Sequence, residues 1–384
     1  MNQKKLKLLD TILEEQKNSE KLLGASLRIE HKGKKVYENI IGTDRKDSIY
    51  KIFSMTAPIT AVAAMILYER GQLDLMRRVS DYLPAFKDMY VASPSGVHKA
   101  EQPITIHNLL NMTSGIVSLG EYGEAERSMT RVYREAKTQV GSGILKSDID
   151  VFNKLAEAYL AFEPGTGFKY GYSADILGGV IEVITGQSLD EFFKKEIFTP
   201  LNMEDTSFYI DDANSLRQAV LYRRKKDNTL KRAEVDVKQR LEMEDPFRKP
   251  WYQSGGYGLY STVEDYTHFS KMLLNKGSYN GKEILGRKTF EFMTTNQLSE
   301  AQLAQFKMDG CIGYGYGNYF RTLMDPAAAT SNGSRGEFGW DGAAGTYFLV
   351  DPAEELIIVY MQQIDTGCDY SLIRSLKQVI YGSL

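Results

Sequence analysis

The chain has 384 residues, enough to bury a full hydrophobic core as one large domain or two interleaved domains. Charged residues make up 25% of the sequence and nearly cancel to a net charge of -3, which argues against a nucleic-acid or anionic-membrane surface. No apolar run reaches the roughly 18 residues of a transmembrane helix, and two cysteines cannot build a disulfide framework. We therefore expect neither a nucleic-acid partner nor a membrane span.

Targeting and metal-binding signals are missing from the sequence. The basic start, Met1 to Asp10, never forms the apolar segment of a secretion signal, which predicts a cytoplasmic protein. The four histidines (His31, His98, His107 and His268) stand at no metal-ligand spacing from one another or from cysteine. We predict no metal site.

The N-terminal part of the chain predicts a helix, a hairpin and a second helix. Apolar residues from Leu6 to Leu13 recur at helical spacing, and the segments 26–30 and 35–38 alternate like the strands of a β-hairpin. Pro58 suits the first turn of a helix that continues to Gly71. Because this helix is apolar nearly all round, we expect it to be buried.

Helical patterns dominate the middle of the chain and strand patterns its end. We predict helices within 104–112, 148–161, 175–185 and 188–198, strands within 313–316, 336–340, 346–350 and 356–360, and a closing helix over 370–379. Strands at both ends predict an α/β fold of the α+β type, with one antiparallel sheet completed by both termini. We assign residues 1–80 and 206–384 to this domain and 81–205 to an inserted helical domain.

Two segments do not fit this pattern of helices and strands. Residues 116–147 are rich in glycine and polar residues, which suggests a flexible flap over a pocket. Residues 212–250 are heavily charged, which suggests a solvated surface segment.

The stretch Ser54-Met55-Thr56-Ala57 opens the buried helix in the manner of a serine-nucleophile motif, S-x-x-K. In that motif the serine stands at the first helical turn, where free backbone N–H groups face the reacting carbonyl, and the lysine follows one turn later. Ala57 occupies the position of the lysine.

Two further segments accompany this motif: one runs from Glu163-Pro164-Gly165-Thr166 through Tyr170 to Gly178, and the other covers 338–347. In this order and spacing, the three segments resemble the serine β-lactamase and penicillin-binding-protein superfamily. The resemblance is strongest to its class C-like branch of carboxylesterases, D-aminopeptidase-like hydrolases and acyltransferases. It covers most of the chain and implies a β-lactamase/transpeptidase-like fold without a cofactor.

The resemblance implies a role for each matched residue. Ser54 is the expected nucleophile and Tyr170 the second catalytic group, with Tyr172 as its rival. Spacing from the Pro164 turn favours Tyr170 and leaves Tyr172 where the family carries asparagine, at a substrate-binding position.

The segment Trp340-Asp341-Gly342 takes the place of the family's pocket-lining strand, so these residues are expected to bind substrate. Backbone N–H groups of Ser54 and Ala343 would form the oxyanion hole. Because Trp340 and Asp341 replace groups that would bind an anionic β-lactam, we expect a preference for neutral or apolar esters.

Ala57 removes part of this chemistry, because serine needs a base to take its proton and alanine cannot accept one. Lys51 and Lys169 are nearby in sequence but are poor substitutes. Three explanations stay open: a deliberate lysine-to-alanine substitution, a natural pseudoenzyme, or a hydrolase with a rewired base.

We therefore predict a serine hydrolase or acyltransferase scaffold that acts on small esters or amides through a Ser54 acyl-enzyme and is impaired by Ala57. The alternative is an inactive pseudoenzyme that binds an acyl ligand or a protein partner in the same cleft. The oligomeric state is left open by the sequence.

Overall fold

A computed structural model describes residues 1–227, 229–233, 245–365 and 367–384. The α-helices span Gln3–Leu6, Leu8–Asn18, Thr56–Glu69, Ile106–Leu110, Glu124–Gly141, Asp148–Leu155, Ser173–Thr185, Leu189–Phe193, Thr199–Leu201, Val263–Leu274, Arg287–Met293, Glu300–Leu303 and Tyr370–Tyr381. Short 3-10 helices cover Phe53–Met55, Val79–Asp81, Pro84–Lys87 and Asp212–Arg217, and Lys194–Phe198 is π-helical.

The main β-structure is a seven-stranded antiparallel sheet built from both ends of the chain. Across the sheet the strands run in the order Tyr314–Gly317, Phe320–Leu323, Phe338–Asp341, Tyr347–Asp351, Leu356–Gln362, Gly24–His31 and Lys34–Gly42. Short two-stranded pairs are formed by Tyr50–Lys51 with Tyr260–Ser261, Tyr90–Ser93 with Gly96–Lys99, Tyr222–Arg224 with Leu230–Arg232, and Ser278–Tyr279 with Lys282–Glu283. The sheet therefore joins residues that are more than 300 positions apart, such as Leu27 and Tyr360.

Helices cover both faces of this sheet. Tyr370–Tyr381, the C-terminal helix, packs with Leu8–Asn18 over one face, in a cluster that includes Leu349 and Ile358. Val263–Leu274 covers the opposite face. Because alternate strand residues point to opposite faces, each strand supplies side chains to both layers.

Thr56–Glu69, the central helix, lies inside the protein except for its last two residues. Every residue from Thr56 to Leu67 is buried, as its apolar surface predicts, and the helix packs against Ser173–Thr185. The prediction of a buried helix after Ser54 is confirmed. This burial fixes the position of the turn that carries Ser54.

The predicted fold class is confirmed, with three local differences. The region 81–205 contains the hairpin Tyr90–Ser93 with Gly96–Lys99, although we predicted it to be all-helical. The strand Phe320–Leu323 was not predicted. The predicted flap contains the 18-residue helix Glu124–Gly141, which was not predicted, and the flexibility expected of 116–147 stays a prediction.

The other two regional expectations stay predictions. All strands of the seven-stranded sheet fall within 1–80 and 206–384, which agrees with the proposed domain division without testing it. The charged segment 212–250 lies partly outside the described residues. In its described part, the strand Leu230–Arg232 is mostly exposed.

Candidate active site

Ser54 lies in the turn Phe53–Met55, which leads directly into the central helix. Long-range contacts hold this turn: Ile52 N–H donates to the Leu259 carbonyl at 3.0 Å, and the Tyr266 hydroxyl donates to the Met55 carbonyl at 2.8 Å. Phe53 has a φ of 44°, a left-handed conformation that is strained for a residue with a side chain. The Ser54 side chain is thereby presented, partly exposed, from a rigid support.

Tyr170 stands beside Ser54, within reach of its hydroxyl. Its ring stacks on Trp340 with 5.5 Å between centroids, and Trp340 Nε1–H donates to the Tyr170 hydroxyl at 3.3 Å. Burial raises the pKa of Tyr170 to about 12, and the contacts with Ser54 and Trp340 oppose this rise only in part. Near neutral pH, Tyr170 is therefore a neutral phenol and a weak base.

Close contacts with the segment 112–116 fix the backbone around Tyr170. Lys169 N–H donates to the Met112 carbonyl at 2.9 Å. Gly171 passes so close to Ile116 that a Cβ added there would lie 2.3 Å from its carbonyl oxygen. A residue with a side chain at position 171 would displace the segment that carries Tyr170.

Ala57 is fully buried and does not contribute to the wall of the cavity around Ser54. The two lysines considered as substitutes are both engaged elsewhere. Lys51 Nζ lies 4.5 Å from the ring centroid of Tyr260, and Lys169 Nζ lies 2.8 Å from Glu126 Oε1. Neither arrangement places an ammonium group against Tyr170.

The strand Phe338–Asp341 is here called the site strand. The turn that follows it brings Ala343 to the same cavity as Ser54. Gly342 makes this approach possible, because a Cβ there would lie 2.3 Å from the Ile52 carbonyl oxygen. Thr346 Oγ1 also donates to the Ile52 carbonyl at 3.2 Å. The turn is thus locked against the segment that precedes Ser54.

Trp340 and Asp341 are neighbours in sequence with different surroundings. Trp340 is buried against Tyr170, behind the cavity wall. The Asp341 carboxylate forms an ion pair with Arg321 and accepts a hydrogen bond from the Tyr370 hydroxyl at 3.0 Å. Neither side chain lines the cavity, although both were expected to bind substrate.

Tyr172 lies on the cavity wall and is otherwise buried. Its ring stacks on Tyr133 with 5.5 Å between centroids. The Tyr133 hydroxyl is 2.6 Å from that of Tyr257, which is 2.8 Å from that of Tyr252. The hydrogen bonds continue from Tyr252, whose hydroxyl donates to Asp175 Oδ1 at 3.0 Å.

The cavity has a volume of about 550 Å³, within the usual range for small-molecule sites. The residues that line it are Phe53, Ser54, Ser118, Leu119, Gly120, Glu121, Thr130, Arg134, Tyr170, Gly171, Tyr172, Asp175, Gly256, Tyr257, Ala343 and Asp365. Among these described residues, Arg134 is the single basic side chain, against three acidic ones. The wall is thus mainly neutral with an acidic excess.

Sequence analysis missed the contribution of Glu124–Gly141, here called the cleft helix. It supplies Thr130 and Arg134 to the cavity. The sequence did contain a helical pattern, because Ala125, Met129, Val132 and Ala136 recur at helical spacing. All four are buried in the structure. The glycines flanking the helix had suggested a loop instead.

The model of the Beta-lactamase family matches residues 9–375, which is nearly the whole chain. The chain belongs to this family. Members with this fold work as serine hydrolases and acyltransferases, and Ser54, Tyr170 and Ala343 converge here where the resemblance predicted its catalytic groups. Their catalytic roles in this chain remain a prediction.

Two curated relatives are similar to this chain over most of its length. Protein Rv1367c of Mycobacterium tuberculosis is 29% identical over 331 residues, covering 83% of this chain and 78% of the relative. Esterase EstB of Burkholderia gladioli is 27% identical over 395 residues, covering 97% and 94%. The similarity to EstB thus extends over almost the full length of both proteins.

The fold has close counterparts among solved structures. The structure described as EstCE1, a hydrolase with promiscuous acyltransferase activity, superposes with a TM-score of 0.80 at 22% identity, covering 99% of both chains. At this identity the match establishes the fold alone. Within the described residues, no helix is long and apolar enough to cross a membrane, and no group of three potential metal ligands occurs.

Proposed function

We propose that this chain is a serine hydrolase or acyltransferase scaffold for small esters or amides, working through an acyl group on Ser54, and that Ala57 impairs it. The observation that carries the proposal is the shared cavity of Ser54, Tyr170 and Ala343. Acyl transfer requires a nucleophile, a group that accepts and returns its proton, and backbone N–H donors near the reacting carbonyl.

In the proposed reaction, Ser54 Oγ attacks the substrate carbonyl while its proton passes to the small phenolate fraction of Tyr170. The bond from the carbonyl carbon to the leaving alcohol or amine then breaks, and the leaving group takes up the proton. In the second half-reaction, water or a second alcohol attacks the acyl-Ser54 carbonyl and gives its proton to the Tyr170 phenolate. The bond from the acyl carbon to Ser54 Oγ then breaks, and Ser54 takes up that proton. Backbone N–H groups of Ser54 and Ala343 would stabilise the oxyanion in both steps. No cofactor takes part.

The acidic excess of the wall supports neutral esters as substrates. Glu121, Asp175 and Asp365 line the cavity against the single cation of Arg134. An anionic substrate would meet a net negative charge from the charged side chains of this wall. Esterase EstB, which covers nearly the whole chain, is consistent with this substrate class.

Impairment follows from the surroundings of Tyr170. Its pKa of about 12 leaves only a minute phenolate fraction near pH 7, and Ala57 provides no cation to lower that pKa. A general base contributes roughly 10² to 10⁴ in rate. The same observation favours the second candidate function, a pseudoenzyme that holds an acyl ligand or a protein partner without turning it over.

The deciding experiment measures hydrolysis of p-nitrophenyl acetate and butyrate by the chain and by Ala57→Lys, with Ser54→Ala as the blank. We expect Ala57→Lys to exceed the original chain by at least about a hundredfold, the lower end of the contribution of a general base. Circular dichroism of each variant establishes that the lysine is accommodated at this buried position.

A second measurement covers the case in which Ala57→Lys does not fold. The original chain is incubated with p-nitrophenyl butyrate for hours, and intact-protein and peptide mass spectrometry locate any added butyryl group. Butyryl on Ser54 supports the hydrolase scaffold. Its absence, together with saturable binding of an unreactive ketone analogue of the ester that survives Ser54→Ala, favours the pseudoenzyme.

A further inference from the structure

A second cavity lies on the other face of the sheet, between the C-terminal helix and the strands Tyr314–Gly317 and Phe320–Leu323. Its volume is about 210 Å³, which is below the usual range for drug-sized ligands and suits a small molecule. The residues that line it are Gly310, Ile312, Tyr314, Arg321, Ala328, Ala329, Thr330, Ser331, Tyr347, Tyr370, Ile373, Arg374 and Lys377.

The charge of this wall is one-sided. Arg321, Arg374 and Lys377 are basic, and none of the described lining residues is acidic. Two of the cations have partners outside the wall, since Arg321 pairs with Asp341 and Lys377 pairs with Glu337. Arg374 is exposed and forms no ion pair or side-chain hydrogen bond with any described residue. One full positive charge is left without a counter-ion at the cavity.

The Arg321 side chain adds a second, buried positive charge beside the cavity. Arg321 is only 3% exposed, and its Nη2 has no hydrogen-bond partner among the described residues. A buried guanidinium N–H without an acceptor is costly, and native proteins rarely leave one in place. Because the opposite nitrogen, Nη1, holds Asp341, the guanidinium is fixed in orientation, and its Nη2 is shielded from the cavity by surrounding atoms.

The remaining wall combines aromatic and aliphatic side chains with the hydroxyl groups of Thr330 and Ser331. The rings of Tyr314 and Tyr347 lie beneath the Arg321 guanidinium, with 6.0 and 4.9 Å from its central carbon to the ring centroids. Ile373 adds an aliphatic surface, and Ile312 lies at the rim with 74% of its surface exposed. A ligand that fits this wall has an anionic head and a compact apolar body.

We propose that this cavity binds a small organic carboxylate, with the carboxylate on Arg374 near the positive charges of Arg321 and Lys377, and the apolar body against Tyr347 and Ile373. Arginine suits this task because its planar fork of N–H donors matches a carboxylate, which can receive two parallel hydrogen bonds. The site is separate from the Ser54 cavity and does not depend on the proposed function.

The test titrates the full chain with benzoate by isothermal calorimetry and compares it with benzamide, a neutral molecule of the same shape. We expect saturable 1:1 binding of benzoate and at least tenfold weaker binding of benzamide. Arg374→Gln should weaken benzoate binding at least tenfold, because it removes the uncompensated charge while leaving the buried Arg321–Asp341 pair intact.

Two matched variants locate the site. Arg335→Gln removes another exposed arginine that lies outside both cavities, and it should leave benzoate binding unchanged. Arg134→Gln removes the arginine of the Ser54 cavity and should also have no effect. The proposal is overturned if benzoate does not bind, if benzamide binds equally well, if Arg374→Gln binds like the original chain, or if Arg134→Gln alone abolishes binding.

Discussion

The two faces of the site strand make a direct comparison, because one short segment serves two cavities of opposite character. On one face, Trp340 supports Tyr170 beside a cavity with an acidic excess. On the other, Asp341 neutralises Arg321 beside a cavity whose wall is basic. Adjacent residues in a strand point to opposite faces, so neighbours in sequence need not share a site.

The largest expected effect concerns Tyr170 on the cleft face. In the Ala57→Lys background, Tyr170→Phe should lower p-nitrophenyl butyrate hydrolysis by roughly 10² to 10⁴, since the phenyl ring keeps the stacking on Trp340 but loses the proton acceptor. Steady-state kinetics measure the loss. Tyr172→Phe is the control, and a larger loss for Tyr172→Phe would reverse the assignment of the two tyrosines.

On the opposite face, Asp341→Ala should act on stability. It leaves the buried guanidinium of Arg321 without its counter-ion, and breaking a buried pair in this way costs about 3–5 kcal/mol of unfolding free energy. Urea unfolding measures the loss, with the exposed Asp309→Ala as control.

The same variant tests the expectation that Asp341 binds substrate. In the Ala57→Lys background, Asp341→Ala should leave KM unchanged, because the Asp341 carboxylate is turned away from the Ser54 cavity. A large rise in KM with little loss of stability would restore Asp341 to the substrate site.

The pH dependence of residual activity tests the state of Tyr170. Its pKa is raised to about 12, so the phenolate fraction grows tenfold with each pH unit below that value. Hydrolysis by the original chain, corrected with Ser54→Ala, should therefore rise about tenfold per unit from pH 7 to 10. Ala57→Lys should reach its plateau at lower pH, because an adjacent ammonium group lowers the pKa of the phenol. A flat profile in the original chain would exclude Tyr170 as its base.

The smallest expected effect concerns Trp340. Trp340→Phe removes the N–H donor to the Tyr170 hydroxyl, a contact that lowers the pKa of Tyr170. A neutral hydrogen bond contributes about 0.5–1.5 kcal/mol, so activity at a fixed pH should fall about two- to tenfold. Trp251, the other tryptophan of the chain, provides the matched control as Trp251→Phe.

The sequence alone indicated the fold and the order of the site segments along the chain. Periodicity predicted the buried helix after Ser54, the N-terminal hairpin and most strands of the sheet, because each has a strong local pattern. The absence of lysine at position 57 was equally plain. The cleft helix had its own helical pattern and was missed because its flanking glycines were weighted more heavily.

What only the tertiary structure decided is the grouping of side chains around each cavity. Arg321 and Arg374 are 53 positions apart, and their shared cavity exists because the C-terminal helix packs over the strand Phe320–Leu323. The alternation of Trp340 and Asp341 was visible in the sequence, but not which of the two faces met Tyr170. That choice depends on the packing of helices on either side of the sheet, and such long-range contacts leave no local pattern for a sequence to display.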